Sequence, residues 1–207
     1  MALVKYNNNS LSSVTSAPNF PAGAMTLIKT LTASSSSTLS FVDGSSDVVL
    51  DSTYPIYLFK FINIHAQTLN SEFTFNLSTD AGSNYNVTKT TNFFRSSQNE
   101  NGSGAELVYV TSHDLAQSTS FQNLMVDQSV DGDASGSGEI FLFSPSSTTF
   151  VKHFLIKLNY MQSAPASNHF FIAGYGNTTS AIDAIQFKMS SGNIDSGTIK
   201  LYGIKDS

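Results

Sequence analysis

Four acidic residues crowd one stretch, D-Q-S-V-D-G-D-A-S-G-S-G-E: Asp127, Asp131, Asp133 and Glu139. Calcium takes about six to eight oxygens from flexible loops, so Asp127, Asp131 and Asp133 are the candidate ligands. Their spacing is not that of an EF-hand, and Asp/Gly/Ser stretches also serve as plain turns. Asp43–Asp51 carries the same pattern in weaker form. A glycosidase needs two carboxylates about 5–10 Å apart, and among fifteen acids the sequence singles out no pair. The four histidines, His65, His113, His153 and His169, fall in separate segments with no H-x-H or H-E-x-x-H spacing, which predicts no zinc site. No G-x-S-x-G elbow is present. Ser112-His113-Asp114 is an adjacency in sequence, whereas a triad is made by the fold. No catalytic residue and no cofactor is expected.

Aromatic rings offer a different chemistry. The chain has 16 Phe, 8 Tyr and no Trp. Tyr85, Tyr109, Tyr160 and Tyr175 fall near expected strand ends or loops, where an exposed ring could stack on a sugar. The first three are the candidate glycan-stacking residues. The absence of Trp counts against a lectin.

The elements that must position these residues read as strands. Ala184–Met189 alternates Ile185, Phe187 and Met189 with Gln186 and Lys188, the period-two mark of a half-buried strand. Ser191-Gly192-Asn193 then supplies turn residues, and Thr198–Ile204 resumes with Ile199, Leu201 and Tyr202 as packing candidates. The pair predicts a hairpin that closes a sheet. Upstream, strands are expected at Met25–Thr32, with a turn at Ser34–Ser37, and at Thr38–Val42. Tyr54–Ile64 follows as a central strand covered on both faces, then strands from Phe73, over Tyr85–Phe94 and over Glu106–Val110. Ser96–Gly104, Asp127–Gly138 and Met161–His169 read as loops. Phe121–Val126, Glu139–Phe143, Phe150–Tyr160 (covered on both faces) and Phe170–Gly174 complete the series. Thr179–Ala184 could hold a helical turn, and Ala105–Gln117 is ambiguous. Short strands separated by Gly/Ser/Asn turns predict an all-β chain, an antiparallel β-sandwich or jelly roll. Residues 22–207 form its single domain.

Residues 1–21 read as an extended N-terminal arm, with Leu3, Val4 and Tyr6 as candidate partner-binding residues on a neighbouring subunit. Charged residues make up only 12% of the 207, against about 25% in typical soluble proteins. Ser, Thr and Asn fill the gap. With a net charge of -5 and ten scattered basic residues, a nucleic-acid partner is not expected. No cysteine is present, which excludes disulfides and thiolate metal sites. Met1–Ser16 lacks the apolar run of a signal peptide, and no stretch approaches about 18 consecutive apolar residues. The expectation is a protein made in a cytoplasm and not inserted in a membrane.

Several runs carry a resemblance: Ala22–Lys29, Phe41–Gly44, Asp51–Tyr54, Phe59–His65, Asp114–Phe121 and Ser190–Gly203. Across most of the chain they resemble a family of small proteins encoded by marine tailed bacteriophages. The resemblance implies a virion-associated structural protein, assembled in the host cytoplasm. Its implied partners are other virion proteins, major capsid or tail proteins, and further copies of itself in a homo-oligomer. It brings no catalytic or metal residues, and implies a variable outward loop at Met161–His169. Two functions follow as expectations. One is a capsid decoration, cement or accessory virion surface protein; the other is a tail adhesin recognising host surface glycans.

Overall fold

The computed structural model describes residues 24–205. The expected arm, with Leu3, Val4 and Tyr6, lies outside the described residues. Every regular element within them is a strand: β1 (Met25–Ser36), β2 (Leu39–Val42), β3 (Ile56–Ala66), β4 (Phe73–Ser78), β5 (Lys89–Asn99), β6 (Ala105–Tyr109), β7 (Gln122–Met125), β8 (Gly136–Phe143), β9 (Lys152–Met161), β10 (Ala166–Gly176), β11 (Ala184–Met189) and β12 (Ile194–Ile204).

Four antiparallel pairs organise the chain: β1 with β12, β2 with β11, β3 with β8, and β4 with β7. They form one long ribbon wrapped on itself, so β1-β12-β3-β8 makes one layer and β2-β11-β4-β7 the other. That wrapping is the jelly roll, a two-layer sandwich. Two insertions enlarge it. Between β8 and β11 the chain makes the β9–β10 hairpin, and between β4 and β7 it makes β5 and β6. All four add to the first layer, which becomes an eight-stranded sheet, β1-β12-β3-β8-β9-β10-β5-β6.

The core lies between the layers, and Phe187 is its hub. Its ring meets those of Phe41, Phe59, Phe61, Phe73 and Phe75 at centroid distances of 5.3–6.5 Å. The alternation read from β11 holds: Ile185, Phe187 and Met189 are buried while Gln186 and Lys188 are only half covered. In β3 the alternation survives an interruption. Phe61 and Ile64 both point inward because Ile62 and Asn63 bulge out between them, with Asn63 at φ 51°, a left-handed conformation Asn tolerates.

The closing pair is not a hairpin. β11 bonds to β2 and β4 in the small sheet, whereas β12 bonds to β1 and β3 in the large one. Residues 190–193 step from one layer to the other, with Gly192 at φ 69°. Reciprocal hydrogen bonds, Ser190 N–H to the Glu72 carbonyl and Glu72 N–H to Ser190 Oγ, hold that step against the start of β4. Of its packing candidates, Ile199 and Leu201 are buried, but Tyr202 is half exposed on the other face.

Other boundaries move as well. β1 runs through the serines to Ser36, and β5 starts only at Lys89 and runs through Ser96–Asn99. The expected outward loop at Met161–His169 shrinks to 162–165, because β10 begins at Ala166 in register with β9. β9 is not buried on both faces: Lys152, Phe154, Ile156, Leu158 and Tyr160 are buried, and the residues between them are exposed. Thr179–Ala184 forms no helical turn.

Candidate functional site

The outer face of the large sheet, turned away from the small one, is where the chain departs from ordinary solvent-facing design. One row crosses all eight strands in register: Thr30, Lys200, Lys60, Glu139, Lys157, Phe171, Phe94 and Tyr109. The next row carries Tyr202, Leu58, Phe141, Leu155, Ala173 and Asn92. Across β10, β5 and β6 the first row is therefore aromatic, and Phe141, Leu155 and Ala173 carry the apolar patch over β8–β10 in the second. Leu155 is 51% exposed, Phe94, Tyr109 and Phe171 43% each, and Leu107 on the edge strand 77%. Exposed large apolar side chains grouped in this way are the general signature of an interaction surface.

The relief of the patch follows from side-chain size. Ala173 is the small residue among large ones, and around it Phe94, Phe141, Leu155 and Phe171 wall a groove of about 420 Å³. Phe94 meets Tyr109 edge-on at 5.1 Å, and His169 stacks on Phe171 at 4.2 Å. Desolvation and the neighbouring Lys157 lower the His169 pKa, which favours the uncharged ring beside Phe171. Along the rim, Glu139 lies between Lys60 (3.8 Å) and Lys157 (4.0 Å). Such part-exposed pairs add little stability, but they leave no isolated carboxylate beside the groove.

The glycan-stacking candidates do not form one surface. Tyr160 is 2% exposed on the inner face of β9, edge-on to Phe170 at 5.1 Å, and burial pushes its phenol pKa up. It is a core residue, because even-numbered positions of β9 face inward. Tyr85 is half buried in the loop before β5, its carbonyl accepting from Asn76 Nδ2 at 2.6 Å. Tyr109 is exposed, and its hydroxyl donates to Asp114 Oδ2 at 2.6 Å, a bond that raises its pKa.

The calcium candidates do not converge either. Asp127, Asp131 and Asp133 are exposed, and among the described residues no three His, Cys, Asp or Glu side chains are grouped to hold a metal ion. The Asp131 carboxylate accepts from Ser129 Oγ at 3.0 Å, and the Ala134 N–H bonds the Asp131 carbonyl. Asp131 thus serves turn geometry. The same loop is pinned by His65, whose Nε2 lies 3.2 Å from the Asp131 carbonyl and whose Nδ1 lies 3.2 Å from Asp195 Oδ2.

Two lysines escaped the sequence reading. Lys89 and Lys152 flank Gly176 on one row of the inner face, and both are fully buried. Lys89 Nζ donates to Asn76 Oδ1 and the Val87 carbonyl, Lys152 Nζ to the Phe150 and Thr178 carbonyls. Each ammonium or amine nitrogen thus has two acceptors. Desolvation pulls the Lys89 pKa down to about 7 and lowers that of Lys152. The signal was present in β9, where Lys152 shares the parity of Phe154 and Ile156.

The described residues thus form an all-β jelly roll with an enlarged sheet and an apolar outer patch. No protein-family model, no curated protein and no solved structure matches it.

Proposed function

We propose that the chain is a non-enzymatic structural protein of a tailed-phage particle. It is made in the host cytoplasm and joins the virion as a decoration, cement or accessory surface subunit held by subunit–subunit contacts. The observation that carries this reading is the outer face of β8, β9, β10, β5 and β6, where large apolar side chains stand together in water. Where part of a sheet is apolar on both faces, that part calls for a layer on each side. The small sheet and its loops supply one, and a second chain supplies the other. The low charge of the chain, 12% Asp, Glu, Lys and Arg, suits packing among neighbouring subunits, and the sequence resemblance to marine phage proteins agrees with it. Antibody labelling and quantitative mass spectrometry of washed phage particles test the reading. Hundreds of copies over the head are expected, and absence of the chain from washed particles refutes it.

A second reading, a tail adhesin for host glycans, draws on Tyr109 and on a groove of about 480 Å³ at one end of the large sheet. Gln98, Asn99, Asn159 and Ser167 line this groove, and their amides and hydroxyls suit sugar hydroxyls. A few labelled copies confined to the tail favour it.

A further inference from the structure

We propose that the occupant of the outer apolar face is the same face of a second copy, packed about a two-fold axis that runs along β10. The inference rests on the reading of this face as a contact surface, but it needs no other virion component.

Area supports it first. Taking about 200 Å² for a whole large side chain, Leu107, Leu155, Phe94, Phe171 and Tyr109 together expose about 500 Å². One partner in a standard interface contributes about 800 Å², so these side chains make the core of such an interface and the polar residues around them its rim.

Register supports it second. A two-fold axis along β10 lays β9 of each copy over β5 of the other, and β8 over β6, because β9 and β5 flank β10 and β8 and β6 lie one strand further out. Rotation about that axis keeps each row at its own level, so Phe171 lies beside its own copy at the axis, Lys157 lies over the Phe94 ring, a cation–π contact, and Leu155 sits one diagonal step from Phe94. The hollow of about 420 Å³ beside Ala173 lies one step along β10 from the Phe171 ring of the other copy and leaves room for that ring to lean in. Two sheets packed in this way lie about 10 Å apart, as in any sandwich.

Charge supports it third. The two ionic side chains that line the groove, Glu139 and Lys157, pair within one copy at 4.0 Å. Closing two faces together therefore buries no unpaired charge from the groove, which is the costly event at an interface. A patch used in this manner is self-complementary and closes after two copies.

The absence of cysteine from the chain makes a clean test. Single-cysteine variants Ala173→Cys, near the axis, and Thr30→Cys, at the far edge of the same face, are treated as full-length protein with a short bismaleimide. Sedimentation equilibrium is run on wild type, Phe171→Glu, Leu107→Glu and a full-length Leu3→Ser/Val4→Ser/Tyr6→Ser variant, with circular dichroism to confirm folding. Expected results are a wild-type dimer, cross-linking through Ala173→Cys and not Thr30→Cys, and dimer dissociation at least about 30-fold easier in Phe171→Glu, the loss typical of a central contact. Leu107→Glu, on an exposed edge strand, weakens the dimer if Phe171→Glu does not fold. A wild-type monomer at about 100 μM overturns the proposal, as do cross-links through Thr30→Cys alone and a dimer unaffected by both glutamate variants. Dissociation by the arm variant overturns it too, since the arm is then the occupant. A solution dimer missing from phage particles instead leaves the inference standing and removes the proposed function. A monomer found in particles does the reverse.

Discussion

One row of the large sheet changes character along its length. On β1, β12 and β3 it presents Thr30, Lys200 and Lys60; on β10, β5 and β6 it presents Phe171, Phe94 and Tyr109. The strands are hydrogen-bonded neighbours in one sheet, facing the same way, so backbone geometry does not explain the difference. The polar part belongs to the wrapped jelly-roll ribbon, and most of the apolar part to the strands inserted into it. A jelly roll can be built without β5, β6, β9 and β10. These strands widen the sheet and carry a surface that the small sheet cannot cover. The difference separates the surface that holds the fold together from the surface proposed to meet a partner.

The strongest way to break that separation is inside the fold. Phe187→Ala removes the ring around which five other phenylalanines pack, and a cost of about 3–5 kcal/mol in chemical denaturation is expected. Total stability of about 5–15 kcal/mol leaves little margin for such a loss. The neighbours Phe170 and Phe171 sharpen the comparison within a single strand. Phe170 is 1% exposed and faces the core; Phe171 is 43% exposed and faces out. Phe170→Ala is expected to cost about 3–5 kcal/mol, and Phe171→Ala about 1 kcal/mol or less in the monomer. Equal losses contradict the assignment of faces.

Lysines draw the same contrast in charge. Lys60 and Lys157 on the outer row are solvated, whereas Lys89 lies buried on the inner face with its pKa drawn down to about 7 by desolvation. Between pH 7 and 10 the unfolded chain keeps the Lys89 proton and the folded chain has released it. Stability therefore rises with pH across that window and is lost as pH falls towards 7. A gain of about 1–2 kcal/mol between pH 7.5 and 9 is expected. Lys89→Met should flatten the slope in denaturation series at several pH values, and a wild-type stability that falls over this range sinks the assignment. Tyr57 and Tyr160, whose pKa values burial raises, oppose the trend only above about pH 10. The smallest effect belongs to Lys188, whose Nζ sits 4.2 Å from the Phe121 ring centroid. Lys188→Ala is expected to cost about 0.5–1 kcal/mol by thermal melt, and no measurable change removes the contact from the account.

Faces were legible in the sequence where alternation was strict. Ile185, Phe187 and Met189 were read inward and are inward, and the two-layer all-β class followed from the turn spacing. Partners were not legible. Alternation says which way a side chain points and not which strand lies beside it, so a step between layers at 190–193 looked the same as a hairpin. Tyr160 was misread for a related reason. Proximity to a strand end suggested exposure, but its parity with Phe154, Ile156 and Leu158 carried the answer. The outer patch was hidden because Phe94, Leu155 and Phe171 are the residue types that a core also uses, and only the pairing of β10 with β5 and β9 reveals them side by side.

The central claim is that the outer aromatic row serves association and not folding. Its most direct measurement is the melting temperature of wild type and Phe171→Ala over a hundredfold range of protein concentration. Association of folded copies makes melting concentration-dependent by mass action. The wild-type transition is predicted to rise by a few degrees across the range while that of Phe171→Ala stays level. Two level lines, or two that rise together, contradict it.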